Sequence, residues 1–298
     1  MRTIGHFRSA DARAAYVRAY EAAMAALPPP TDGFEVGTSF GCVRGFRWEG
    51  VRDTSVPVVL LPGRSAGVPM WGDNLPDLLR SERTVFAVDA LGDAGLSEQS
   101  VPLSTAGDQA TWVEETLDGL GVGVVHTLGH SFGAATTAAH ALRFPSRVAS
   151  IGLLEPAFVL RWPPPSTFVW ATLSLVPGPS SWREHALAAL GGVEVDEVRA
   201  RTPIGEMISA AVEHFQSDLP TPRPLSREQL GRLTQPVYVA IAGRRSLAGG
   251  ERAATRARTL PNAVVDVWPG TTHSLPMQVP AELALRLRSF WDRVDPAG

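Results

Sequence analysis

A chain of 298 residues, 44% hydrophobic with a net charge of −3, can bury a substantial core and offers no electrostatic footprint for nucleic acid or an anionic membrane. All 27 basic residues are arginine, which excludes a lysine Schiff base, a P-loop lysine and a Ser-x-x-Lys dyad. The single cysteine, Cys42, cannot form an internal disulfide, and this fits a reducing cytoplasm, the expected location.

In chain order, the opening "MRTIGHFRSADARAAYVRAYEAAMAALPPP" is broken by charge every few residues, so it lacks the apolar region of a secretory leader. It predicts an amphipathic helix over about 10–27, stopped by Pro28, Pro29 and Pro30, in an N-terminal segment drawn as 1–33. "FEVGTSFGCVRGFRWEG" (34–50) reads as a hairpin. Nearly continuous apolar runs follow at 56–63, 84–90, 124–130 and 148–156, as strands buried on both faces require. "MWGDNLPDLLRSE" (70–82) and "STAGDQATWVEETLDGLG" (104–121) lie between them as plausible helices. "PVYVAIAG" (236–243), "AVVDVWPG" (263–270) and the helix "PAELALRLRSFWDRV" (280–294) close the chain. This alternation predicts an α/β fold with a doubly wound, mostly parallel sheet. No apolar run approaches the ~18 residues needed to span a bilayer.

The interval 157–222 breaks the rhythm with proline-rich, tryptophan-bearing sequence. It is read as a helical cap over the carboxyl edge of the sheet, where ligands bind in open α/β folds. The alternative is a packing module with its own small core. The core is then drawn as 34–156 and 223–298.

Chemistry centres on "GHSFG" (129–133), which matches G-x-S-x-G after a buried strand and before a helix. Ser131 could merely cap that helix. In this context Gly129 and Gly133 instead relieve crowding around a strained turn that projects the hydroxyl above the sheet, so Ser131 reads as a nucleophile. A serine hydroxyl needs a base. Among seven histidines, His273 in "WPGTTHSLPMQVP" is best placed, just past the last strand and on the same sheet edge. His6, His185 and His214 read as surface or cap residues, and His140 falls in the helix after the turn. His126 and His130 stand four apart on a strand, with no third ligand, so no metal is expected. An oxyanion hole needs two amides: Phe132 supplies one, and Arg64 in "PGRSAG" (62–67) the other, unless that turn is an ordinary one.

Taken together and in this order, strand–"LPG", "DALGDAGLSE", "GHSFG" and "PGTTHS" resemble the serine esterase and lipase-like branch of the α/β-hydrolase superfamily. The N-terminal helix and hairpin resemble a bacterial subgroup of it. The resemblance covers about 34–156 and 236–294. It implies an eight-stranded, mostly parallel sheet, a helical cap after the sixth strand, and a triad in chain order serine, acid, histidine. Two positions depart from the family pattern: Pro62–Gly63 replaces the usual His-Gly, and Ser246 in "IAGRRSL" stands where an aspartate is expected. Glu155, ending an apolar strand on the triad's edge, is the expected acid. Glu251, or no acid at all, are the alternatives.

A serine nucleophile argues against the aspartate-dependent dehalogenases and epoxide hydrolases of this superfamily. The expected activity is hydrolysis of a small apolar acyl ester through an acyl-enzyme, without a cofactor, with Trp162 and Trp170 lining the pocket. Acyl transfer, thioester cleavage or cyclisation on the same triad, and a non-catalytic ligand-binding role, are the competing readings. Oligomeric state is left open.

Overall fold

The computed structural model describes residues 3–51, 55–176 and 178–295. The extreme ends of the outer segments drawn above, 1–2 and 296–298, therefore lie outside the described residues.

Eight strands form the central sheet: β1 (Asp32–Thr38), β2 (Gly41–Trp48), β3 (Val58–Leu61), β4 (Val85–Val88), β5 (Val125–His130), β6 (Val148–Leu154), β7 (Val237–Ala242) and β8 (Ala263–Trp268). Their order across the sheet is β8-β7-β6-β5-β3-β4-β2-β1. Strands β3 to β8 are all parallel, and β1 and β2 add an antiparallel hairpin beside β4. The short piece Glu98–Gln99 pairs with β2 as a ninth strand. The mostly parallel sheet expected from the sequence is present. Its middle strands β3, β5 and β7 are buried along their whole length, which is why they read as unbroken apolar runs.

Helix α1 (Ala10–Met24) is capped by the Ser9 hydroxyl, which accepts from the Ala12 amide. A reciprocal Thr105–Asp108 capping box opens α2 (Ala106–Gly119). After β5 comes α3 (Phe132–Arg143). Between β6 and β7 the chain leaves the sheet for α4 (Pro165–Leu175), α5 (Ser180–Gly191), α6 (Val195–Arg199) and α7 (Pro203–His214). It then returns through α8 (Arg227–Arg232), α9 (Gly250–Ala257) and α10 (Pro280–Val294). The helix expected over 70–82 does not form as one piece. A 3-10 turn at Val68–Trp71 is followed by a separate four-residue helix at Leu75–Leu78. Pro76 sits in the first turn of that helix, where its missing N–H is harmless; inside a longer helix it would break the ladder.

One face of the sheet is covered by α10 and the 68–78 region, with Trp71, Trp291 and Phe290 against Leu60 and Tyr238. The other is covered by α3 and α9, whose alanines (Ala134, Ala138, Ala253, Ala254) let the helices approach Ile151 and Val239 closely. Helix α1 lies against α7, with Tyr16 and Tyr20 packed on Met207 and Ala211. Next to it, His6–Phe7 pairs with Phe215–Gln216, so the N-terminal segment braces the inserted helices. No helix among the described residues is long and apolar enough to cross a membrane.

The amino ends of the strands carry a buried polar lock. His126, fully buried, donates from Nε2 to Asp295 Oδ1 at 3.0 Å and accepts the Ser150 hydroxyl at Nδ1 at 2.8 Å. Arg83, almost fully buried, pairs with Asp295 and Asp292. Burial pushes the His126 imidazole down to about 4, against the pull of Asp295. The folded-state value lies below that of a free imidazole, so the unfolded chain binds more protons between about pH 6.5 and 4. The contribution is present above that window and lost as pH falls through it. Urea denaturation of His126→Gln should therefore show a stability deficit that narrows by on the order of 1–2 kcal/mol from pH 7 to pH 5. A deficit independent of pH would contradict this reading of the lock.

Candidate active site

Ser131 joins β5 to α3 with φ 53° and ψ −114°, a conformation that residues with a Cβ rarely adopt. Its amide donates to the Leu154 carbonyl at the end of β6 at 3.0 Å, which fixes the turn to the neighbouring strand. Both flanking glycines are sterically required. A Cβ on Gly129 would lie 2.4 Å from the Gly133 oxygen, and one on Gly133 would lie 2.2 Å from the Leu61 oxygen. The helix thus starts hard against the end of β3.

The Ser131 hydroxyl makes no capping bond to α3. It donates instead to His273 Nε2 at 3.0 Å, and His273 Nδ1–H donates to Glu155 Oε2 at 3.0 Å. Ser131 and His273 are 6% and 7% exposed, and Glu155 is fully enclosed. Glu155 immediately follows β6 at φ 43°, its amide bonded to the Ala240 carbonyl on β7 at 2.8 Å. The carboxylate is saturated with donors. Oε1 accepts from the Ala242 amide at 2.8 Å and the Ser246 hydroxyl at 2.7 Å, and Oε2 accepts from the Leu247 amide at 3.0 Å. A carboxylate so surrounded can be buried without a paired arginine. Glu251, the alternative, stands on the exposed first turn of α9 and pairs with Arg258 at 2.8 Å.

Phe132 opens α3, where the first amides have no partner within the helix. The Pro62–Gly63 turn abuts the serine: a Cβ on Gly63 would lie 3.5 Å from Ser131 Cβ. Arg64 follows, with its guanidinium carbon 5.2 Å from the centre of the Phe132 ring. An aromatic train runs from Phe132 to Phe158 (5.3 Å), then to half-exposed Trp162 (5.9 Å) and to Phe168 (6.1 Å). Trp170, on α4, makes no ring contact with that train among the described residues.

Several contributors were not singled out from the sequence. Asp89, at the end of β4, accepts from the Val68 amide at 2.8 Å and the Leu96 amide at 2.7 Å, and burial pushes its carboxyl up to about 6. Asp93 accepts from the Ser65 amide at 2.6 Å; burial raises it while Arg64 opposes the shift. The two aspartates grip the turn that carries Arg64 on its C-terminal side. A pair of acidic residues four apart at the end of an apolar strand, in "TVFAVDALGD", was the available signal. His130 donates from Nε2 to the His273 carbonyl at 2.9 Å. Burial, reinforced by His273, pushes it down to about 3, so it stays neutral. No group of His, Cys, Asp or Glu among the described residues could hold a metal.

A family model described as the alpha/beta hydrolase fold matches residues 56–187. An uncharacterised carboxylesterase, nap, of Bacillus subtilis (strain 168) is 33% identical over 145 residues, 48% of this chain and 46% of that protein. Carboxylesterase YbfK of the same strain is 29% identical over 151 residues, 51% and 50% of the two chains. The chain thus spans about half the length of the curated relatives it matches. The crystal structure of naproxen esterase (carboxylesterase NP) from Bacillus subtilis superposes with a TM-score of 0.86 at 24% identity, covering 95% of this chain and 99% of that one. That of carboxylesterase CesB (YbfK), also from Bacillus subtilis, gives 0.85 at 24% identity over 94% and 98%. The chain has the α/β-hydrolase fold, and residues 56–187 resemble the family of that name. Within it, the similarity is to carboxylesterases.

The steric account of the elbow is testable by thermal unfolding. Gly133→Ala should lose at least about 2 kcal/mol, because the new methyl meets two backbone oxygens. Gly231→Ala on α8, where a Cβ meets nothing within 4 Å, should be neutral or slightly stabilising. Equal effects of the two would refute it.

Proposed function

We propose that this protein is a serine carboxylic-ester hydrolase acting through an acyl-enzyme on Ser131. The observation that carries the reading is the pair of 3.0 Å hydrogen bonds running Ser131–His273–Glu155 at the carboxyl edge of the sheet. Relatives named carboxylesterases support the same class.

In this mechanism Glu155 accepts a hydrogen bond from His273 Nδ1–H, which keeps the proton on Nδ1 and leaves Nε2 as the free lone pair facing the serine. His273 takes the Ser131 proton as Oγ attacks the acyl carbon. The amides of Phe132 and Arg64, with the α3 N-terminus beneath them, receive the oxyanion. The imidazolium then protonates the departing alkoxide. Water attacks the acyl-enzyme by the same relay, and Ser131 recovers its proton. No step requires a metal or an organic cofactor. The train Phe132–Phe158–Trp162 offers an uncharged wall beside the nucleophile, so the substrate class is a small ester with an apolar acyl group. Helices α4–α7 act as the cap over this edge, and the lone thiol Cys42 supports a cytoplasmic setting. The near-complete burial of Ser131 and His273 favours one second reading, acyl transfer to an alcohol or thiol acceptor with water excluded.

Ser131→Ala should keep the fold and reduce turnover of a short p-nitrophenyl ester by at least about a thousandfold. It should also abolish labelling by a fluorophosphonate. Glu155→Gln should be strongly impaired and Glu251→Gln should match the parent. Normal turnover in Ser131→Ala would sink the reading, and normal turnover in Glu155→Gln would remove the acid from it. Product analysis with an added alcohol separates hydrolysis from transfer.

A further inference from the structure

One turn of the inserted segment touches both loops that bear the hydrogen-bonded pair. The C-terminal carbonyls of a helix lack partners within it. At the end of α5 the Gly191 carbonyl finds its donors in the histidine loop: the Ser274 hydroxyl at 2.8 Å and the Ser274 amide at 3.1 Å, with the Thr272 hydroxyl further off at 3.4 Å. Ser274 stands at the start of the short Leu275–Gln278 helix, yet its side chain does not cap it. The hydroxyl is committed to Gly191. The next residue, Gly192, has φ 71°, and a Cβ there would lie 2.7 Å from Thr272 Cβ and 3.2 Å from the His273 amide nitrogen. Only glycine lets the two segments come this close.

The same turn reaches the loop beneath Glu155. Arg245 donates to the Val193 carbonyl at 3.4 Å and pairs with Glu194 at 3.0 Å. Its neighbour Ser246 donates to the carboxylate of Glu155 at 2.7 Å. Arg245 and Glu194 are both well exposed, so that ion pair contributes little alone. The part-buried side of the contact, Gly191 against Ser274, carries the coupling.

We propose that the turn 191–194 is a positioning element for His273: it clamps the histidine loop to the inserted helices, so that displacement of α4–α7 by a substrate is transmitted to the imidazole. The proposal rests on the reading of Ser131, His273 and Glu155 as the catalytic set. His130 holds the same loop from the sheet side through the His273 carbonyl, at 2.9 Å. The loop that bears the imidazole is thus held from one side by the sheet and from the other by the inserted helices. Misplacing a catalytic group by about 1 Å can cost on the order of a hundredfold in rate, so loss of one restraint should be visible.

Ser274→Ala should lower kcat for p-nitrophenyl butyrate by about tenfold, with KM within about twofold. Its melting temperature should stay within about 2 °C of the parent. Ser274→Thr, which keeps the hydroxyl, should restore kcat, and Gly192→Ala should be more impaired than Ser274→Ala. The low-field proton resonance of His273 Nδ1–H should shift or broaden in Ser274→Ala. Parental kcat in Ser274→Ala, or a loss that Ser274→Thr fails to rescue, would overturn the proposal. An unchanged Nδ1–H resonance would also overturn it, whether or not the parent protein hydrolyses the ester. An inactive parent would instead count against the esterase reading.

Discussion

A residue with a Cβ at φ 53° and ψ −114° costs of order 1–3 kcal/mol unless its surroundings leave no alternative, and at Ser131 they leave none. The Leu154 carbonyl holds its amide, and the end of β3 meets Gly133 without room for a methyl group. Pushing α3 away would relieve the strain only by breaking the packing of its alanines on β6 and β7. The hydroxyl is therefore aimed by the backbone, and its partners must come to it. His273 does so from the loop after β8, and Glu155 from the end of β6.

The second requirement is electrostatic. A carboxylate with no solvent exposure must find its hydrogen bonds inside the protein, and Glu155 finds them on the amides of Ala242, Leu247 and Ala248, a hydroxyl and an imidazole. Ser246 is the link that makes this arrangement work. Its oxygen accepts from the amides of Gly249 and Gly250 at 3.0 Å each, so its proton is free to point at Glu155. The start of α9 is thereby wired to the acid through one hydroxyl. Asp89 and Asp93 solve a different problem with the same means, spending their acceptors on the amides of Val68 and Ser65 to hold the turn beside the serine.

Much of this was legible in the sequence, for definite reasons. Buried parallel strands are apolar without interruption, so β3, β4, β5 and β6 stood out, and the glycines of "GHSFG" mark a turn that nothing larger can make. Glu155 drew attention because a charge that ends an apolar strand needs an internal partner. Other features could not be read because they depend on which loops meet. Ser246 looked like a missing acid, whereas in the fold it donates to the acid on the neighbouring strand. His130 could be placed on its strand, but its bond to the His273 carbonyl spans 143 residues. The segment 70–82 read as one helix, and the break falls before Pro76, which sits in the first turn of the separate Leu75–Leu78 helix. Trp162 and Trp170 were indistinguishable by composition; only the path of the chain connects the former to Phe132.

The account turns on the claim that Ser131 attacks a carbonyl whose oxygen is received between the Phe132 and Arg64 amides. A crystal structure of the protein inactivated with a fluorophosphonate tests this directly. The account predicts a single adduct on Ser131 Oγ, with the phosphoryl oxygen within hydrogen-bond distance of both amides and the leaving-group side facing His273 Nε2. A phosphoryl oxygen turned away from both amides, or an adduct on any other residue, would contradict it.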